Sequence, residues 1–386
     1  MAQLNIPVDK FGSIQTPFYY YDVALLQKTL TEVVRLEKIH HFEVHYAVKA
    51  NVNHRILKII NEAGLGADCV SGNEVSRVID IGFTADKVVF AGVGKTDREI
   101  ETALSHNIFG FNCESVQEVQ VINSIALKNN KRANVSVRIN PNVDAKTHKR
   151  ITTGLEENKF GVNLTDLDAV LETIKTSKEI DFKGLHFHIG SQVTDMSRFV
   201  ELCTRINDVN SLLEQKGIGV EHINAGGGLG IDYHDPLENC IPNFAEYLNI
   251  FKENLNLKPG QRLHFELGRA IVGQCGVLVS RVLYEKAGDK KNFLILDAGM
   301  SELMRPALYQ AYHLIGNLTS KSCEQNEYDV VGPICETTDS FGQNILLPKS
   351  SRGDLFAIYS TGAYGQVLSN RYNLRDEPAV IYSDQI

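Results

Sequence analysis

No stretch of the 386-residue chain is apolar over the roughly 20 residues that a membrane-crossing helix needs; the longest apolar runs are strand-sized. The opening segment MAQLNIPVDK lacks a signal-peptide core, so a cytoplasmic protein without a membrane partner is expected. The sequence also lacks any CxxC spacing. Its seven cysteines, Cys69, Cys113, Cys203, Cys240, Cys275, Cys323 and Cys335, are odd in number and widely scattered, which argues against a disulfide framework or a structural zinc site. Lysine and arginine are outnumbered by aspartate and glutamate, 39 to 47, and form no basic stripe, so a nucleic-acid partner is not expected and a small molecule is. There is no internal repeat and no low-complexity segment.

What is present is an alternation. Short β-branched runs alternate with amphipathic stretches, the pattern of repeated βα units around a parallel sheet. The runs at 45–50, 66–71, 87–92, 108–114, 134–140, 184–190, 221–226 and 262–267 read as eight strands, and eight suggest a closed (β/α)8 barrel over 30–270. Ser71 with Glu74 and Ser115 with Glu118 read as capping boxes that start helices directly after strands. Ile56, Leu57, Ile59 and Ile60 before Gly64 read as a helix with a glycine at its C-terminal end. Beyond 270 the alternation gives way to strands such as GVLVSRVL and NFLILDAG, so 271–386 is expected to be β-rich. PFYYYD falls outside the barrel periodicity and is expected to lend that second domain a strand, which makes 1–29 part of it.

In barrels of this class the catalytic groups project from the C-terminal ends of the strands, and the loops after strands seven and eight commonly bind phosphate. That rule selects Lys49 at the first strand, His188 at the sixth, Gly226, Gly227 and Gly228 after the seventh, and Glu266 with Arg269 at the eighth. A lone lysine at a strand end is most often only solvated; beside Ala47 and Val48, a desolvated amine becomes a nucleophile. The glycine triplet fits a tight turn or a phosphate cradle, and Ile231 breaks the dinucleotide pattern G-x-G-x-x-G. His186 and His188 share one face, which leaves open a metal pair or one hydrogen-bonded core histidine.

Taken together, YAVKAN, GADCVSGNE, KFGV, HFHIGSQ, GGGLGI, FELGR, RPALYQAYH, GPICET and GAYG resemble, in their order, the fold type III (alanine-racemase-like) pyridoxal-phosphate decarboxylases. The diaminopimelate-specific branch is the most similar, over about residues 16–373. The resemblance implies decarboxylation of meso-2,6-diaminopimelate to L-lysine with pyridoxal 5'-phosphate, by a homodimer with shared active sites. It makes Lys49 the lysine that carries the cofactor and His188 the imidazole stacked on its ring. Ser191, Gly226, Gly227, Gly228, Gly268, Arg269 and Tyr364 become cofactor contacts, and Glu266 the partner of the pyridine nitrogen. Arg269, Arg305, Tyr309, Glu336 and Tyr364 become substrate contacts, with two arginine forks suited to a distal carboxylate. Cys335 becomes the group that protonates the carbanion, reached across a dimer interface. Two positions depart from the family, Leu267 where proline is usual and Thr337 where serine is. Rival readings are a decarboxylase of another basic amino acid or of carboxynorspermidine, a racemase, and a non-catalytic cofactor-binding homologue.

Overall fold

The computed structural model describes residues 3–144 and 159–386. The chain enters through strand β1 (Phe18–Tyr21) and a helix at Val23–His40. Eight strands follow: β2 (Glu43–Ala47), β3 (Gly66–Cys69), β4 (Val88–Phe90), β5 (Gly110–Cys113), β6 (Ala133–Arg138), β7 (Ile180–His186), β8 (His222–Asn224) and β9 (Arg262–Leu267). Each pairs with the next in parallel, and β9 returns to β2, so the sheet closes into a barrel.

Side chains alternate on these strands, and the alternation sorts them by polarity. Val44, Tyr46, Leu263 and Phe265 are buried with the helices, Phe265 lying 4.9 Å from the Phe251 ring and 5.5 Å from that of Tyr247. The other set, including His45, Asp68, Asn112, His186, Asn224, His264 and Glu266, is polar yet buried: Glu266 bonds to His186, Asn112 and Asn224, His45 to His264, and Asp68 to Lys49.

The helices begin where their caps stand. Asn53 accepts from Arg55 and Ile56 to start His54–Glu62, and Gly64 follows it with φ of +93°. The Ser71 and Ser115 hydroxyls accept from Glu74 and Glu118 N–H at 3.2 and 3.1 Å, as expected. Their glutamates do not close the box on the cap residue itself; they take the N–H one residue earlier, Val70 at 2.7 Å and Glu114 at 2.6 Å. The reciprocal box occurs instead at Thr96 and Glu99.

The later strands are β10 (Gly276–Ala287), β11 (Asn292–Leu296), β12 (Ile315–Asn317), β13 (Gln325–Val331), β14 (Ser340–Pro348), β15 (Leu355–Ile358) and β16 (Ala379–Tyr382). They pair in the order β12-β15-β10-β11-β13-β14, and β1 joins β10 antiparallel and β16 parallel. Phe11, Phe18, Tyr20, Val277, Val279, Leu355, Ala357 and Tyr359 form the core of this sheet. By proximity the chain falls into two units, one of Leu30–Gly230 and Asn243–Gly268, the other of Met1–Thr29, Ile231–Pro242 and Arg269–Ile386. The excursion 231–242 belongs to the β-rich unit although it interrupts the barrel in sequence. Among the described residues no helix is long and apolar enough to cross a membrane.

Candidate active site

The C-terminal end of the barrel gathers the lysine, the two histidines, the glycine loop and Glu266. β2 stops at Ala47, and Lys49 stands in a single 3-10 turn, Val48–Ala50, rather than in the strand its sequence suggests. The turn is closed by Asn51 N–H on the Val48 carbonyl at 3.0 Å. Its placement beside β3 brings Lys49 Nζ 2.9 Å from Asp68 Oδ2. Asp68 is wholly buried, and its other oxygen, Oδ1, meets no donor among the described residues. Burial and the charge of Glu266 push its carboxyl up to about 6, against the pull of Lys49.

Glu266 is the opposite case. Burial alone would raise it, but His186, together with Lys49, outweighs burial and holds the carboxyl well below the usual carboxylate range. Its Oε2 accepts from His186 Nε2 at 3.0 Å, and its Oε1 accepts from Asn112 Nδ2 at 3.0 Å and Asn224 Nδ2 at 2.8 Å. His186 is thus a hydrogen-bonded core residue. His188 lies two residues past the end of β7, on backbone kept extended by Phe187 N–H to the Asn224 carbonyl at 2.8 Å. Its Nδ1 accepts from Gly227 N–H at 3.2 Å, and burial, then Arg138 and Lys49, drive its pKa well below the ordinary histidine value, which leaves the ring neutral.

The glycine triplet is packed too closely for any side chain. A Cβ would strike the carbonyl oxygen of Phe187 at Gly226, that of Glu266 at Gly227 and that of Gly190 at Gly228. Gly226 and Gly228 also have φ of +71° and +108°, backbone that favours glycine. Val193 N–H donates to Gly228 O at 2.8 Å, which ties the loop of Ser191 to the triplet. At Gly268 a Cβ would lie 2.9 Å from that of Ala50, so the end of β9 passes against the turn that carries Lys49. Leu267 is a regular member of β9, opposite Tyr46, so the departure from proline leaves the strand intact.

The β-rich unit has its own buried cluster. Arg269 Nη1 donates to Tyr233 Oη at 2.6 Å, and its guanidinium lies 4.8 Å from the centre of the Tyr364 ring. Arg305 stands 4.9 Å over the Tyr233 ring and donates to His313 Nε2 at 2.7 Å, while His313 Nδ1 donates to the Tyr359 carbonyl at 2.8 Å. Burial, then Arg305, lowers the His313 pKa far below normal and makes it the acceptor this chain needs. Tyr364 holds φ of +57°, unusual for a bulky residue. Tyr309 ends the short helix Arg305–Tyr309. Cys335 and Glu336 are exposed on a loop pinned by Asp339, which accepts from Met300 N–H at 2.6 Å and Ile334 N–H at 2.7 Å. Glu336 accepts from Tyr372 Oη at 2.6 Å.

Asn112, Asn224, Tyr233 and His313 are not among the residues that the sequence singles out. The asparagines carry a signal: each is a polar residue within a barrel strand, and a buried polar group needs a partner.

Residues 27–273 match the family described as pyridoxal-dependent decarboxylase, pyridoxal binding domain. The chain belongs to this family. It is 54% identical to the diaminopimelate decarboxylase of Bacteroides thetaiotaomicron, with 98% of each chain covered, and 40% identical to that of Neisseria meningitidis, covering 96% of this chain and 90% of the other. The crystal structure of diaminopimelate decarboxylase from Helicobacter pylori complexed with L-lysine superposes with a TM-score of 0.90 at 36% identity, covering 98% of this chain and 94% of that one.

The barrel end fits the cofactor of a pyridoxal-dependent decarboxylase. An amine and a buried anionic carboxylate are both present, and Asp68 Oδ1 and His186 Nδ1 are buried without a partner among the described residues.

Proposed function

We propose that this decarboxylase releases carbon dioxide from the D centre of meso-2,6-diaminopimelate to give L-lysine, in the cytoplasm, as a homodimer with pyridoxal phosphate. The observation that carries the reading is the buried Glu266 anion, fixed by His186, Asn112 and Asn224 in the same barrel end as Lys49. When bound, pyridoxal phosphate supplies the electron sink for the pair left behind by carbon dioxide. Glu266 keeps a pyridine nitrogen protonated, since a fixed adjacent anion favours the charged form. Lys49 Nζ would hold the cofactor, and Asp68, 2.9 Å away, is placed to take the proton that a charged amine must lose before it is a nucleophile.

Neutral His188 offers a ring face without adding a second positive charge. Ser191, Gly226, Gly227, Gly228 and Gly268 receive the phosphate through close backbone approach, with Arg269 and Tyr364 as further contacts. Arg305 and Tyr309 bind the substrate's distal carboxylate end, and Glu336 its distal ammonium. Cys335 of the partner subunit returns a proton to the carbon that lost carbon dioxide. The exposure of Cys335 and Glu336, beside Tyr372 and the 94% exposed Leu374, supports an interface there.

The test is direct. Purified holoenzyme should form lysine and carbon dioxide from meso-diaminopimelate in preference to ornithine or arginine, and borohydride should fix the cofactor to Lys49. Faster turnover of ornithine would overturn the substrate assignment, and a label on another lysine would overturn the site.

A further inference from the structure

At the other end of the barrel, where the N-terminal ends of the strands lie, a second polar cluster stands apart from the chemistry described above. Glu43 and His45 are two residues apart on β2 and so share a face, and His264 is the register partner of Glu43 on β9. His45 Nε2 lies 3.0 Å from His264 Nδ1, and Glu43 Oε2 lies 3.7 Å from the same nitrogen. Among the described residues this is the group of histidine, cysteine and carboxylate side chains whose ligand atoms all fall within 4.8 Å of one another.

We propose that Glu43, His45 and His264 bind one divalent transition-metal ion of the zinc, cobalt or nickel class, with water from the adjoining cleft as the fourth ligand. Three observations carry this. The first is spacing: ligands about 2.0–2.1 Å from a tetrahedral ion stand roughly 3.3 Å from one another; two of the three separations, 3.0 and 3.7 Å, bracket that value, and the third is within 4.8 Å.

The second is the outer contacts. A metal-bound imidazole almost always gives its other nitrogen to a carbonyl, carboxylate or similar acceptor, which fixes the ring. His45 Nδ1 is 3.1 Å from the Lys87 carbonyl oxygen, and His264 Nε2 is 2.9 Å from His222 Nδ1, so each ring has its outward nitrogen engaged, while the remaining two nitrogens face each other with Glu43 within 4.8 Å of both. Glu43 is itself held, its Oε1 accepting from Arg262 Nη1 at 3.2 Å. Gly66 makes the arrangement possible: a Cβ there would overlap the His45 ring and the Lys87 carbonyl.

The third is access. A cleft of about 650 Å³, lined by Glu37, Glu43, Asp86, Glu221 and His222 among others, opens onto the cluster, so an ion and its water can enter. A mixed nitrogen and carboxylate set suits zinc, cobalt or nickel better than calcium or magnesium.

β2 and β9 are the first and last barrel strands, so the ion would join the seam where the barrel closes. The N-terminal face of such barrels is the stability face, and stabilisation is the expected effect.

Holoenzyme stripped with a chelator and gel-filtered should take up one Co²⁺ per chain, with the strong visible absorption of a tetrahedral site, and its thermal midpoint should rise with Zn²⁺. Loss of an outer contact in His222→Phe should weaken binding roughly 10–100-fold. Glu43→Gln, at a partly exposed position that the fold tolerates, should abolish the tetrahedral spectrum and the thermal shift, as should His264→Gln. Uptake and spectrum should be unchanged in Lys49→Ala, which separates this site from the cofactor's. Absence of stoichiometric binding by the wild-type chain overturns the proposal. Binding of equal strength and spectrum in Glu43→Gln does so too, because the ion then sits on other side chains.

Discussion

Two buried carboxylates within one barrel end are driven apart by their surroundings. Among the described residues Glu266 has three side-chain donors and stays ionised, whereas Asp68 has one cation and an oxygen with no donor, and burial pushes it up to about 6. Groups separated in this way divide acid, base and electrostatic roles between them. The consequence for stability has a definite sign. Between its ordinary value of 3.8 and about 6, Asp68 in the folded cofactor-free chain holds a proton that the unfolded chain has lost. Stability therefore falls as pH rises through that window, and the favourable contribution is fully present only below it. Asp68→Asn has no such proton to lose. Urea unfolding of both cofactor-free proteins at about pH 4 and about pH 7 should show the wild type losing about 1–3 kcal/mol relative to the variant as pH rises. A pH-independent difference would mean that Asp68 titrates normally.

At the scale of elements, the loop after β8 is built of backbone against backbone. Gly227 has no room for a methyl group because the Glu266 carbonyl lies where it would go, so Gly227→Ala must push β9 and with it Glu266. A destabilisation of about 1–3 kcal/mol is expected from such overpacking, together with loss of bound cofactor on dialysis, read by thermal unfolding and absorbance. Gly219→Ala, where nothing lies within 4 Å, is the control and should do neither. Elements of this kind are the part of the molecule that is legible in sequence. The eight strands and their order follow from local alternation, and the Ser71 and Ser115 caps from residues three apart. What is not legible is set by closure. Asn112 and Glu266 are 154 residues apart and His45 and His264 are 219 apart, and they meet only because β9 returns to β2. The excursion 231–242 likewise carries no compositional mark of the unit it joins, although Tyr233 then pairs with Arg269. Lys49 does follow the end of a strand, but its 3-10 turn depends on a single backbone bond that no sequence pattern announces.

For the whole molecule, the decisive question is whether one chain suffices. Lys49 is held by the barrel, whereas Cys335 and Glu336 stand exposed on a loop pinned by hydrogen bonds to Asp339. In a closed two-fold dimer the same patch is used twice, so two equivalent sites each combine a barrel end from one chain with the Cys335 loop of the other. Suppose that Lys49→Ala and Cys335→Ala chains, each nearly inactive, are mixed under conditions in which dimers exchange. Every mixed dimer then has one site with both lesions and one with neither. Random reassortment makes half of the dimers mixed, and half of their sites intact, so roughly a quarter of wild-type activity should return. If both groups belonged to one chain, mixing could create no intact site. Differently tagged chains establish that exchange took place, because a failure to exchange imitates the negative result. With exchange demonstrated and no activity recovered, Cys335 works within its own chain or has no part in the reaction.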